Sequence, residues 1–382
     1  MLAQVAALAA VLLVVVAPAA SGAGTPSPGG SGGSSSTPAG ATGLPERAPV
    51  VLTPTAVAGS SAPAPSPDGL AAALRPTLRS SALGDTIAAV VDPATGQVLL
   101  DTSDGRTGTP ASSLKVLTAV TALVALGPGA RLRTRVLRSG GTVVLVGAGD
   151  ASMTRNPSRL GGEPTVSITT LADATAKALG SAKVAVRYDD SLFTGPRLAP
   201  GWSSGLLATG EIAPVTALSV DKGRTSPGGL EVVDDPSLRA AEEFAAALER
   251  RGITVTGAPR RGTAPAGATE IAGGDSPPIA VLVEQTLTES DDDMAEALAH
   301  LAGGQLGGSA SFAGGAAATA KVLAALGVTT TGMELSDGSG LSRLDRVRPL
   351  TLAGALAAVA SARLPDGLPS AAPSGAGVAT WP

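Results

Sequence analysis

The chain has 382 residues, 44% hydrophobic but only 2% aromatic, so its core must be built mainly from Val, Leu, Ile and Ala. A net charge of −4 with no basic block argues against a nucleic-acid partner. The absence of cysteine excludes disulfides and thiolate metal sites, and a single histidine, His300, leaves no basis for a clustered metal centre or a histidine-dependent triad.

Residues 1–21 carry an apolar run over 5–20 that is too short for a comfortable transmembrane helix of about 20 residues. It fits the apolar region of a signal peptide, ending in small residues such as Ala17 and Ala19. No basic residue precedes it, the first being Arg47, so an uncleaved N-terminal membrane anchor is the alternative. Either reading puts the rest of the chain outside the cytoplasm. Residues 22–69 are dominated by Gly, Ser, Pro, Thr and Ala and read as a tether with no core of its own.

Folded sequence begins near residue 70. A short helix is expected over 71–78, then strands over 85–92 and 97–101 joined by the tight turn P-A-T-G. The next stretch, residues 110–126, reads P-A-S-S-L-K-V-L-T-A-V-T-A-L-V-A-L. Val116, Val120, Leu123 and Leu126 recur at helical spacing, predicting a buried helix that opens at Ser112 and ends at Gly127-Pro128. Residues three apart share a helix face, so Lys115 can hold its amine beside the Ser112 hydroxyl. A serine needs an adjacent base to act as a nucleophile, and burial favours the neutral form of an amine. Ser112 and Lys115 are therefore a candidate nucleophile and base, against the plainer reading of an N-cap serine and a helix lysine. A second S-x-x-K, Ser219 to Lys222, runs into Gly- and Pro-rich sequence and cannot continue as a helix.

Strands are expected over 131–145, ending in V-G-A-G-D. Residues 151–275 read as an inserted α+β domain with helices over 169–179 and 238–251 and a strand over 183–188. Residues 276–363 return to the first domain, begun over 70–150. A helix or strand is expected over 279–287, helices over 290–302, 311–326 and 350–363, and a strand near 332–335. His300 falls on the second of these elements, where a surface or core-edge place is expected. The tail, 364–382, reads as coil. Ser290-Asp291-Asp292 opens its helix much as Ser112 opens the earlier one. Ser290 as N-cap, with acids loading the first turn, explains the pattern without any chemistry.

The combination is more specific than its parts. P-A-S-S-L-K around Ser112, L-V-G-A-G-D-A-S-M-T over 145–154, V-R-Y-D-D-S-L-F-T-G-P over 186–196, S-D-D-D-M-A-E-A-L over 290–298 and D-G-S-G-L-S-R over 337–343 together resemble the class C penicillin-binding proteins. These form the D-alanyl-D-alanine carboxypeptidase/endopeptidase family. The resemblance implies an α+β fold, a β-lactamase/transpeptidase-like sheet with helices carrying a large inserted domain. It implies a serine peptidase acting on peptidoglycan stem peptides, acylated by β-lactam antibiotics such as penicillins, with no cofactor. Ser112 would attack, Lys115 would accept its proton, and Ser290 would relay a proton to the leaving amine.

Two departures bear on activity. The family's triplet after the insert ends in Asn, which can donate a hydrogen bond to a substrate carbonyl. Here that substrate-binding position is Asp292, which when ionised only accepts and favours the charged form of a nearby amine. The family's K-T-G is also missing: none of Lys115, Lys177, Lys183, Lys222 and Lys321 precedes Thr-Gly, and Arg106-Thr107-Gly108 lies ahead of the serine. A C-terminal truncation or shifted reading frame, removing the last strands, is the expectation. Two alternatives stand beside the peptidase reading: a catalytically inactive peptidoglycan-binding or scaffold protein, and, against the size of the insert, a β-lactamase.

Overall fold

The computed structural model describes residues 12–16, 65–306 and 308–360. The rest of the leader, most of the tether and the tail over 364–382 lie outside the described residues.

The first layer is a three-stranded antiparallel sheet with β2 (Ile87–Val91) between β1 (Leu12–Val16) and β3 (Val98–Asp101). Leu12 to Val16 fall inside the stretch expected to be a leader's apolar run. The sequence L-L-V-V-V also suits a strand, being rich in β-branched residues, and here it pairs from Leu12 opposite Val91 to Val16 opposite Ile87. No helix among the described residues is long and apolar enough to cross a membrane. Helix α1 (Pro67–Leu78) precedes the sheet, capped by Ser66.

Every residue of β2 is buried, because α2 (Lys115–Leu126) and the last helix cover it. Helix α2 is apolar all round, which is what a central helix requires. Leu117, Val120 and Val124 meet Ile87, Val322 and Leu352, while Ala119, Ala122 and Leu126 meet Ile279, Leu298 and Leu301. Truncating Leu117 to alanine would cost about 2–5 kcal/mol at such a site. Gly127, at φ +85°, ends the helix.

The second sheet has six strands. Its path runs β8 (Arg260–Arg261), β6 (Lys183–Asp189), β5 (Thr142–Val146), β4 (Arg133–Ser139) and β9 (Thr269–Asp275), with β7 (Thr254–Val255) also on β6. The β5–β6 pair is parallel and the β4–β5 pair antiparallel. Helices α3 (Ile168–Leu179) and α4 (Pro236–Glu249) cover it, and Val143, Leu145, Ile168, Tyr188 and Phe244 share its core. Residues 133–146, expected to precede the insert, pair in this same sheet with strands drawn from 183–189 and 269–275.

The chain returns through α5 (Ile279–Thr288), α6 (Asp292–Gln305), α7 (Phe312–Ala325) and α8 (Pro349–Ala360). The strand expected near 332–335 is reduced to a single bridge, Glu334 to Arg346. His300 is not at the surface. It is 1% exposed, with Phe193 tilted against its ring and Phe312 meeting it edge-on, and its Nδ1 donates to the Glu296 carbonyl. That buried ring is neutral, burial having lowered its pKa to about 4.

Candidate active site

Ser112 does not open the α-helix directly. It sits in a 3-10 turn, Ala111–Leu114, that feeds α2, and the preceding Ala111 has φ +48°. A β-carbon-bearing residue in that region is strained, and strain of this kind concentrates where a site over-determines the backbone. Ser112 is exposed, whereas Lys115, three residues on, is 1% exposed.

Lys115 Nζ lies 3.1 Å from Ser112 Oγ, 2.6 Å from Asp292 Oδ1 and 3.0 Å from the Ser339 carbonyl oxygen. The structure thus brings together three of the four sequence candidates or their immediate partners: Ser112, Lys115 and Asp292. An ammonium has three protons, and these three acceptors use them all. A neutral amine would keep two protons for Asp292 and Ser339 and turn its lone pair to the serine hydroxyl. Asp292, largely buried, is held above the usual carboxylate range by desolvation, with Lys115 pulling it back.

Ser290 is not the cap of α6. Asp291 is, accepting from the Met294 N–H at 3.1 Å, and Ser290 precedes it, exposed, at φ +54°. Asp291 suits this place because its second oxygen, Oδ2, also pairs with Lys222. Asp293 Oδ2 takes Arg224 at 2.7 Å, and Asp293 Oδ1 takes the Ala213 N–H at 3.0 Å. Burial lifts the Asp293 pKa to about 6 against that arginine. Three successive acids therefore bind three separate cations, one on α2 and two from residues 222 and 224. Lys222, from the second S-x-x-K, also has a strained neighbourhood, with Asp221 at φ +49° and Lys222 at φ +54°. A cavity of about 520 Å3 opens here, lined by Ser290, Asp291, Asp292, Glu211, Lys222 and Arg224 among others. Ser112 is outside that lining, and Asp292 is common to both places.

The loop at 337–342 carries part of the resemblance, as D-G-S-G-L-S-R, but sequence reasoning assigns its residues no role at the site. Asp337 accepts from the Gly340 and Ser342 N–H groups at 2.8 and 2.7 Å and from Trp202 Nε1 of the insert at 2.7 Å. Gly340, at φ +86°, comes so close that a Cβ there would stand 1.9 Å from the Ala111 carbonyl oxygen. The signal was the run D-G-S-G, whose two glycines around a serine mark a tight, closely approached turn.

The model of the family described as D-Ala-D-Ala carboxypeptidase 3 (S13) matches residues 70–230 and 227–375. Carboxypeptidase DacB of Mycolicibacterium smegmatis is 36% identical over 296 residues, 74% of this chain and 62% of that protein. A carboxypeptidase of Mycobacterium tuberculosis is 35% identical over 324 residues, 80% of this chain and 68% of that protein. The chain thus spans less than two thirds of the first relative's length. The crystal structure of penicillin binding protein 4 from Haemophilus influenzae shares the fold at a TM-score of 0.58, with 22% identity over 71% of this chain and 74% of the other.

Proposed function

The chain belongs to the D-Ala-D-Ala carboxypeptidase 3 (S13) family, and from that membership we propose that it is a serine carboxypeptidase or endopeptidase acting on peptidoglycan stem peptides outside the cytoplasm. The observation that carries the reading is the 3.1 Å contact between Lys115 Nζ and Ser112 Oγ at the head of a buried helix. Ser112 Oγ attacks the carbonyl between two D-alanines while the neutral Lys115 amine takes the hydroxyl proton. The C–N bond then breaks, and Ser290 gives its hydroxyl proton to the departing amine while taking one from Lys115, which leaves that lysine neutral again. Water cleaves the resulting ester and regenerates Ser112. Backbone N–H groups at the turn, that of Ser112 among them, stabilise the oxyanion.

β-Lactams acylate the same serine as mimics of the D-Ala-D-Ala bond. The Asp292 carboxylate stands 2.6 Å from the Lys115 amine, where the family places a carboxamide that can donate to the substrate carbonyl, and this slows acylation. Asp292→Asn keeps an oxygen for Lys115, removes the charge and offers a donor to the substrate carbonyl.

The test is the intact mass of the protein before and after benzylpenicillin. A stable adduct lost in Ser112→Ala supports the nucleophile, and an Asp292→Asn variant acylated about tenfold faster supports the role of the carboxylate. No adduct in either protein, each folded, moves the reading to a wall-binding chain without turnover.

A further inference from the structure

Glu296 lies one turn beyond Asp292 on α6 and is fully buried. No cation pairs with it among the described residues. Its Oε1 instead accepts from the Gly338 and Ser339 N–H groups at 3.0 and 2.8 Å, and Oε2 lies 3.0 Å from the Gly338 nitrogen. Both amides belong to the loop whose next oxygen, the Ser339 carbonyl, receives a proton of Lys115. The Gly338 carbonyl is fixed separately by Thr118 Oγ1 at 2.6 Å, from the nucleophile helix. We propose that Glu296 is a positioning residue for Lys115: it holds the Gly338 and Ser339 N–H groups and so fixes the backbone leading into Ser339, while Asp337 holds the Gly340 N–H of the peptide unit that carries the Ser339 carbonyl, and together they face that carbonyl to the amine.

A neutral amine can accept the serine proton only if its lone pair points at Ser112 Oγ. That orientation is set by where its two remaining N–H bonds go, and there are two fixed acceptors, Asp292 Oδ1 and the Ser339 oxygen. Asp292 is an anchor on α6; the Ser339 oxygen is an anchor only if its loop is rigid. The loop is tied from below by Glu296 and packs closely on α6, since a Cβ on Gly338 would stand 2.5 Å from the Ala299 side chain. Without an acceptor at 296 the two amides would be buried and unpaired, and the backbone over 337–339 would shift to satisfy them, carrying Ser339 and the peptide unit after it along. The Ser339 oxygen would then leave Lys115. Burial and the nearby Asp337 charge hold Glu296 well above the usual glutamate range, so it serves as a hydrogen-bonding cradle and not as an ion-pair partner.

The proposal rests on Ser112 and Lys115 acting as nucleophile and base, and the test separates the two. Three proteins are compared: wild type, Glu296→Gln, which keeps an amide oxygen for both N–H groups, and Glu296→Met, which fills the space without an acceptor. Benzylpenicillin acylation is followed by mass across pH. Glu296→Gln should stay within about threefold of wild type, while Glu296→Met should acylate at least about tenfold more slowly, with the full adduct still formed and the midpoint of its pH profile moved. A folded Glu296→Met with wild-type rate and pH profile overturns the proposal. Should it fail to fold, Thr118→Val, which releases the Gly338 carbonyl, takes its place with the same expectation. Labelling of Lys115 by acetic anhydride across pH, read by peptide mass, is done on all variants. If wild type forms no adduct, the nucleophile reading fails, and an altered labelling profile at Lys115 in Glu296→Met still supports the positioning role. An unaltered one refutes it.

Discussion

Lys115 shows what one side chain demands of its surroundings. A buried amine is costly unless its polar contacts are made, and here three partners from three different elements meet it. Sequence spacing made the first of them, Ser112, legible, because i and i+3 lie on one helix face. It also flagged Asp292, because a carboxylate stood where a carboxamide was expected. The Ser339 carbonyl was invisible, since a backbone oxygen leaves no trace in residue type. Buried carboxyls carry a second consequence at this scale. Asp345 is fully buried, accepts from the Ser336 N–H at 2.7 Å and has its pKa raised to about 8 by desolvation and the Asp337 charge. An acid that holds its proton longer in the folded state stabilises the fold at low pH and loses that contribution as pH rises towards 8. Calorimetry should therefore show the melting temperature of wild type falling more between pH 5 and pH 9 than that of Asp345→Asn. Equal slopes would mean that Asp345 is ionised throughout. His300 acts in the opposite sense, its contribution fading as pH drops from 6.5 towards about 4.

Elements were more legible than their ends. Periodicity located α2, α3, α4, α6 and α7 because each has a continuous apolar face. The caps were harder. Ser290 had the right residue type to cap α6, yet Asp291 took the role, because Asp291 is also fixed by Lys222, some seventy residues earlier, which no local pattern reveals. Likewise β4 and β5 read correctly as strands but not as members of the second sheet, since strand pairing is set by partners distant in sequence. The loop at 337–342 makes a prediction of its own kind. Gly340→Ala adds a methyl where the Ala111 carbonyl already stands, at a φ that disfavours side chains. It should push the turn that carries Ser112 out of place and slow penicillin acylation by at least about tenfold, as followed by mass. An unchanged rate would show that the turn keeps its geometry without the loop.

The whole molecule has two main bodies of core, one around α2 and one under the six-stranded sheet. Polar ties join them near the site, among them Asp291 to Lys222, Asp293 to Arg224 and the Ala213 N–H, Trp202 to Asp337, and Ser342 to the Pro200 carbonyl. The Arg224–Asp293 pair is mostly shielded from water, and Arg224 also donates to the Gly210 carbonyl at 2.7 Å. Removing one partner of such a pair leaves the other buried and uncompensated. Arg224→Met should lower unfolding stability by about 3 kcal/mol in urea titrations, and Arg224→Met combined with Asp293→Leu should recover much of it. A single variant as stable as wild type would show that the junction is loose enough for water to replace the arginine.

The tie through Trp202 has an optical consequence. The sequence contains two tryptophans, Trp202 and Trp381. The indole of Trp202 donates to the carboxylate of the loop beside the serine and meets Phe312 edge-on at 5.5 Å. Indole emission depends on the electric field along the ring and on quenchers at its edge. In a Trp381→Phe background, the protein therefore carries its own fluorophore on the strap between insert and reaction centre. The colour of its emission would follow that strap in real time as a ligand arrives.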